Sequence, residues 1–118
     1  MNNHLKWSIW IADLNPVVGS EQGNRRPVLV VSESKLNELL PVVNVLPITS
    51  RKANRRVYPN ETLLNATAEN GLINESIVLC YQIRTLDKSR LTRQLGNIDS
   101  TLTQNEIIEA LKFQLGIE

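Results

Sequence analysis

Apolar residues in this chain come in short continuous runs closed by turn formers, a pattern that points to a small sheet. Pro27 to Ser32 (PVLVVS) follows Gly23-Asn24, and Val42 to Ile48 follows Pro41. Ser76 to Thr85, carrying Ile77, Val78, Leu79, Tyr81 and Ile83, follows Asn70-Gly71 and Asn74-Glu75. Runs this short, rich in β-branched residues and bounded by Gly, Pro and Asn, read as strands. Trp7 to Leu14 adds another, with Trp7, Ile9 and Ile11 on one face and Trp10, Ala12 and Leu14 on the other. Apolar side chains on both faces fit a strand enclosed in a small barrel.

Weaker strands are expected around Arg56 to Leu64 and over Leu91 to Ile98, the latter weakened by Gly96. Ser34 to Leu40 allows one or two helical turns before Pro41. The one well-marked helix is C-terminal. Thr103 with Glu106 forms a capping-box pattern, Ile107, Ile108, Leu111 and Leu115 share a face, and Gly116 marks the end. Five or six strands and one helix predict a mainly β fold, a closed or half-closed antiparallel barrel with the helix plugging or flanking it.

At 118 residues the chain holds one domain, since two cores would each be too small; residues 1–6 read as a frayed tail. Single copies of histidine (His4) and cysteine (Cys80) leave too few ligands for a His/Cys metal site, and no carboxylate pair has a recognisable metal spacing, so no metal or other cofactor is expected. Cys80 lies in an apolar run and reads as a buried thiol. With no secretory pattern and no long apolar stretch, a cytoplasmic protein away from membranes is the simplest expectation.

The net charge is only +1, yet ten of the thirteen basic residues fall in three segments. These are Arg25 and Arg26; Arg51, Lys52, Arg55 and Arg56; and Arg84, Lys88, Arg90 and Arg93. The usual hydrolytic signatures are absent: no G-x-S-x-G, no H-E-x-x-H, no P-loop. What remains is a set of polar residues at loop–strand junctions. Glu21, Gln22, Arg25 and Arg26 precede the second strand, Thr49 and Ser50 end the third, and Gln82 and Arg84 lie late in the fifth. Junctions of a small barrel can converge at one rim. There an arginine fork suits phosphate oxygens and a threonine hydroxyl can donate to a developing oxyanion.

Three blocks carry a resemblance. Ala12 to Gly23 (ADLNPVVGSEQG) followed by Arg26 to Val31 (RPVLVV) is similar to the N-terminal signature of MazF/PemK toxins. Val45 to Ser50 (VLPITS) resembles that family's strand ending in the active-site threonine, and Ser76 to Leu91 (SIVLCYQIRTLDKSRL) resembles its QIRTxDKxRL block. The blocks stand in family order, and the similarity runs from about residue 7 to the C-terminus. Where the family commonly carries a Gly-Asp pair just before the first strand, this chain has Trp7-Ser8.

The resemblance implies an SH3-like small antiparallel barrel with a C-terminal helix, forming a homodimer. The activity it implies is metal-independent, sequence-specific cleavage of single-stranded RNA by 2′-hydroxyl attack, leaving a cyclic phosphate and a 5′-hydroxyl. It also implies a cognate antitoxin protein with an acidic disordered tail. On this reading Arg26 and Thr49 are catalytic, and Glu21, Gln22, Arg25, Ser50, Arg51, Lys52, Arg55, Arg56, Gln82 and Arg84 bind substrate. Glu21 is a candidate to orient Arg26. Arg26 acts as a charge stabiliser, because a guanidinium gives up its proton reluctantly. Trp10 and Tyr81 are candidates to stack on bases, but both lie in apolar runs and are expected in the core. The rival readings are a CcdB-like toxin that binds DNA gyrase without cutting, and a decayed toxin that only binds its antitoxin.

Overall fold

The computed structural model describes residues 5–118. The elements run β1 (Ser8–Asp13), β2 (Arg25–Val30), α1 (Ser34–Leu39), β3 (Val42–Ser50), β4 (Glu61–Leu64), β5 (Ser76–Leu79), β6 (Arg84–Asp87), β7 (Leu91–Asn97) and α2 (Thr101–Leu115). The strands form one antiparallel sheet in the order β4-β5-β3-β2-β1-β7, with β6 also on β3. The architecture is mainly β, as expected. The sheet does not close: β4 and β7 end the path, and α2 lies across the β4 end and the turn after β5.

Strand β3 organises the rest. Its first half pairs with β6 from Val42–Asp87 to Val45–Arg84, and its last three residues pair with β5 from Ile48–Val78 to Ser50–Ser76. Along its other edge it meets β2 at Val45–Val30, Leu46–Leu29 and Pro47–Val28. Alternation along these strands feeds two cores. Ile9, Leu29, Leu46, Ile48, Val78 and Cys80 pack with Ile107 and Ala110 of α2. Ala12, Leu14, Val28, Val30, Val43, Val45 and Leu86 form the second core on the opposite face. Fully burying one such side chain contributes about 1.5–3 kcal/mol, which explains why the apolar runs showed no polar face.

Several expectations shift. The run Ser76 to Thr85 is two strands, broken by a 3₁₀ turn at Cys80–Gln82 that redirects the chain from the lower half of β3 to its upper half. This turn lifts Tyr81 out of the core to 45% exposure, while Trp10 stays half buried against the second core with Nε1 donating to Ser8 Oγ at 2.8 Å. Ser100 caps α2, not Thr103: its Oγ accepts from Thr103 N–H. The buried face of α2 is Ile107 and Ala110 with Leu111 behind, whereas Ile108 and Leu115 are exposed. Gly116 does end the helix, in the left-handed region at φ 70°. Residues 1–4, including His4, lie outside the described residues. Leu5 and Lys6 are tied down, Leu5 against the second core and Lys6 to Glu33 at 3.5 Å.

Candidate active site

The loop between β1 and β2 runs from Leu14 to Asn24 and is pinned from three sides. Arg84 Nη1 donates to Leu14 O at 3.3 Å, and Arg90 Nη1 donates to Asp13 O at 3.2 Å and also to Asn15 O. Gln82 Nε2 donates to Ser20 O at 3.2 Å, while its Oε1 accepts from Gln22 N–H at 3.4 Å. Residues some sixty positions apart thus hold the loop that delivers Arg26. Gln22 Oε1 is buried with no hydrogen-bond partner among the described residues, at a cost of about 1–3 kcal/mol. Unpaired buried polar atoms of this kind concentrate where a structure is shaped for more than stability.

Arg26, the second residue of β2, is half buried, with Nε donating to Gly23 O at 3.0 Å. This bond orients the guanidinium; its terminal nitrogens make no hydrogen bond among the described residues. Glu21 does not orient it: the Glu21 carboxylate turns back to accept from Val18 N–H at 2.7 Å. The β2–β3 pairs stop at Val28–Pro47, where Pro27 and Pro47 bring no N–H to the ladder. Continuing that register two residues places Arg26 across from half-buried Thr49, on the face of Val28 and Pro47.

A cleft of about 230 Å³ opens beside this pair, between the ends of β1, β2, β3 and β7 and the 71–74 loop. Arg25, Arg26, Ser50, Asn74, Ser76 and Arg93 line it. Thr49 does not line it, although its neighbours Ile48 and Ser50 do, so the cleft takes in Arg26 without the threonine. Of these, Arg93, Asn74 and Ser76 were missed as site residues. Arg93 had one signal, its membership of the third basic segment; Asn74 and Ser76 had none, because only the β5–β3 pairing brings them here.

The basic loop after β3 is less free than its composition suggests. Arg51 bonds Glu75 at 3.2 Å and Arg55 O at 2.9 Å. Arg55 forks onto the Glu61 carboxylate, with both nitrogens at 2.8 Å. The Arg55 fork holds the Glu61 carboxyl below its ordinary range against the opposing cost of burial, and Tyr58 N–H assists at 3.1 Å. The same contact raises the Arg55 guanidinium. Lys52 is exposed and Arg56 lies over the Tyr58 ring. Two of the loop's four cations, Lys52 and Arg56, therefore have no carboxylate partner among the described residues.

Cys80 is fully buried, and burial with the nearby Glu61 charge pushes its thiol up to about 12, which removes it as a nucleophile at neutral pH. Among the described residues no three His, Cys, Asp or Glu side chains are grouped to hold a metal ion, and no helix is long and apolar enough to cross a membrane.

An open antiparallel sheet with a single C-terminal helix is a class of fold already represented among solved structures. MazF from Deinococcus radiodurans superposes with a TM-score of 0.78 at 31% identity, covering 95% of this chain and 96% of that one. A mycobacterial endoribonuclease in complex with its cognate antitoxin gives 0.77 at 25% identity, covering 97% and 96%. In sequence, endoribonuclease EndoA of Bacillus subtilis is 37% identical over 109 residues, 92% of this chain and 91% of that protein. Endoribonuclease MazF9 of Mycobacterium tuberculosis is 38% identical over 114 residues, 92% and 93%. Residues 5–115 match the model of the PemK-like, MazF-like toxins of type II toxin–antitoxin systems, and the chain belongs to that family.

Proposed function

We infer that this chain is the endoribonuclease toxin of a type II toxin–antitoxin pair and that it cuts single-stranded RNA at Arg26 and Thr49. The ribose 2′-hydroxyl attacks the adjacent phosphorus: the O2′–P bond forms, the P–O5′ bond breaks, the 2′ proton departs and the 5′ oxygen gains one. A 2′,3′-cyclic phosphate and a 5′-hydroxyl result, and DNA is spared because it lacks the nucleophile. The carrying observation is Arg26 beside the cleft, held through Nε while its terminal nitrogens meet no acceptor among the described residues; the β2–β3 register, continued two steps, brings Thr49 to its level. A fixed cationic fork offsets the charge that builds on the phosphoryl oxygens, and a threonine hydroxyl adds a neutral donor. This supplies in side chains what many nucleases take from a metal ion, so the reaction runs without one.

Arg25, Ser50 and Arg93 around the cleft, with Lys52 and Arg56 beyond it, hold the flanking phosphates. Glu21, Gln22, Gln82 and Arg84 set the loop over the substrate, and Arg51 and Arg55 shape the neighbouring wall. The protein works as a homodimer in the cytoplasm. Its antitoxin carries an acidic, disordered tail that covers the same cationic rim, with affinity falling as salt rises. The relatives EndoA and MazF9, both named endoribonucleases, and the solved complex of a mycobacterial endoribonuclease with its cognate antitoxin support this reading.

Incubation of the purified protein with a long RNA in excess EDTA tests it. Defined fragments bearing 5′-hydroxyl and cyclic phosphate ends are expected. Loss of cleavage on chelation, or intact RNA together with inhibition of DNA gyrase, overturns the reading.

A further inference from the structure

Three of the chain's five aromatic residues are gathered on one exposed surface. Tyr58, Tyr81 and Phe113 are 48%, 45% and 65% exposed, and they come from the loop before β4, the turn after β5 and the end of α2. They share a shallow concavity of about 550 Å³ with Arg55 and Pro59. Large aromatic rings grouped in water mark a recognition surface more often than scattered exposed residues do.

The surroundings say what kind. The Arg56 guanidinium sits 5.2 Å from the Tyr58 ring centroid, a cation on a π face. Arg55 is clamped to Glu61 and Arg51 to Glu75, so only Lys52 and Arg56 of the loop's four cations lack a carboxylate partner among the described residues. An acidic peptide would therefore find few free cations here, while the rings themselves stay uncovered. A nucleotide matches better: its base offers a flat π face and its phosphate needs only the one or two charges that Arg56 and Lys52 supply. Position agrees, since Tyr81 directly precedes Gln82, whose side chain holds Ser20 and Gln22 of the loop leading to Arg26.

We propose that Tyr58 and Tyr81 form a base-stacking platform for a nucleotide flanking the scissile bond, with Arg56 as its cationic support. The proposal rests on the RNA-cutting reading above. It assigns part of substrate selection to ring stacking, which tolerates any base but favours those that stack well.

The test uses oligoribonucleotides that each carry one abasic nucleotide at a successive position around the cleavage site. They are cut by the parent protein and by Tyr58→Leu, Tyr81→Leu and the double variant Tyr58→Phe/Tyr81→Phe. On intact RNA each leucine variant should lose roughly 5- to 150-fold in kcat/KM, the range of one lost stack, and the phenylalanine variant should keep the parental rate. At one flanking position the abasic substitution should cost the parent the same factor and cost the leucine variants nothing further. Additive losses at every position overturn the platform. So does parental cleavage by the leucine variants; if inhibition by the antitoxin weakens alongside it, the surface belongs to that protein. A parent that leaves intact RNA uncut overturns the RNA reading first, and the platform with it.

Discussion

The β2–β3 ladder ends at Val28–Pro47, and two further steps of the same register bring Arg26 of β2 to the level of Thr49 of β3. Pairing further inside the sheet would spend backbone and side chains on each other. Beyond Val28–Pro47 a cleft opens between the two strand ends, and the terminal nitrogens of Arg26 make no hydrogen bond there among the described residues. Replacing Arg26 with alanine should lower RNA cleavage by about a thousandfold or more, and Thr49→Val by roughly ten- to a hundredfold. Urea unfolding of Arg26→Ala should lie within about 1 kcal/mol of the parent, the worth of its bond to Gly23. A folded Arg26→Ala protein cutting at the parental rate would remove this residue from the mechanism.

Glu61 is a structural acid rather than a catalytic one. Its side chain is 2% exposed and is answered by the Arg55 fork. Because the folded carboxyl titrates below its ordinary 4.5, the stabilisation is complete above that pH and is lost as pH falls through the folded-state value. Glu61→Gln should cost about 1–3 kcal/mol at neutral pH and flatten the acid limb of the stability curve. Denaturant titrations at several pH values measure both, and an unchanged acid limb in the variant would refute the assignment.

Cys80 should resist alkylation in the native protein and react fully once unfolded, read by mass spectrometry after iodoacetamide. The unfolded thiol ionises from about 9 while the folded one waits until about 12, so alkali should destabilise the fold across that window. Rapid labelling of the native state would contradict the burial.

Gly96 lies within β7, which runs unbroken from Leu91 to Asn97, and its lack of a side chain has a steric reason. A Cβ there would meet Glu69 O at 2.1 Å and the Asn70 carbonyl carbon at 2.7 Å, beside the bond from Asn97 N–H to Glu69 O. Both neighbours are backbone and cannot swing aside. Gly96→Ala should therefore destabilise by about 2–3 kcal/mol, seen as a lower urea midpoint with an unchanged slope. A neutral effect would mean that the 69–70 turn yields freely.

Trp7-Ser8 stands where the family commonly has Gly-Asp, and the fold shows what that position asks of the chain. Trp7 has φ 71°, a left-handed conformation that glycine adopts freely and a bulky residue resists at about 1–2 kcal/mol. Its backbone is held from both sides, by Val30 O and by Ile98 N–H at 2.8 Å each, and its ring packs on the first core. Burial offsets strain. Nothing in the sequence near Trp7 announces this, because the compensating groups come from β2 and from the segment after β7.

Local signals were sufficient for what local physics decides. Apolar runs between turn formers marked most of the strands, and Gly116 marked the end of α2 because a left-handed cap suits glycine. The family blocks marked Arg26 and Thr49 by residue type and order. Long-range geometry decided the rest. The break at Cys80–Gln82 exists because β3 is shared between β5 and β6, and no propensity within that run encodes the sharing. The same break turned Tyr81 outward, while pairing with Glu61 and Glu75 took Arg55 and Arg51 out of the pool of open cations. Sequence alone determined most of the elements and offered Arg26 and Thr49 as candidates, since both readings follow from side-chain type and near neighbours. Only tertiary structure decided which of those charges and rings remain available, because availability depends on partners that the fold brings from far along the chain.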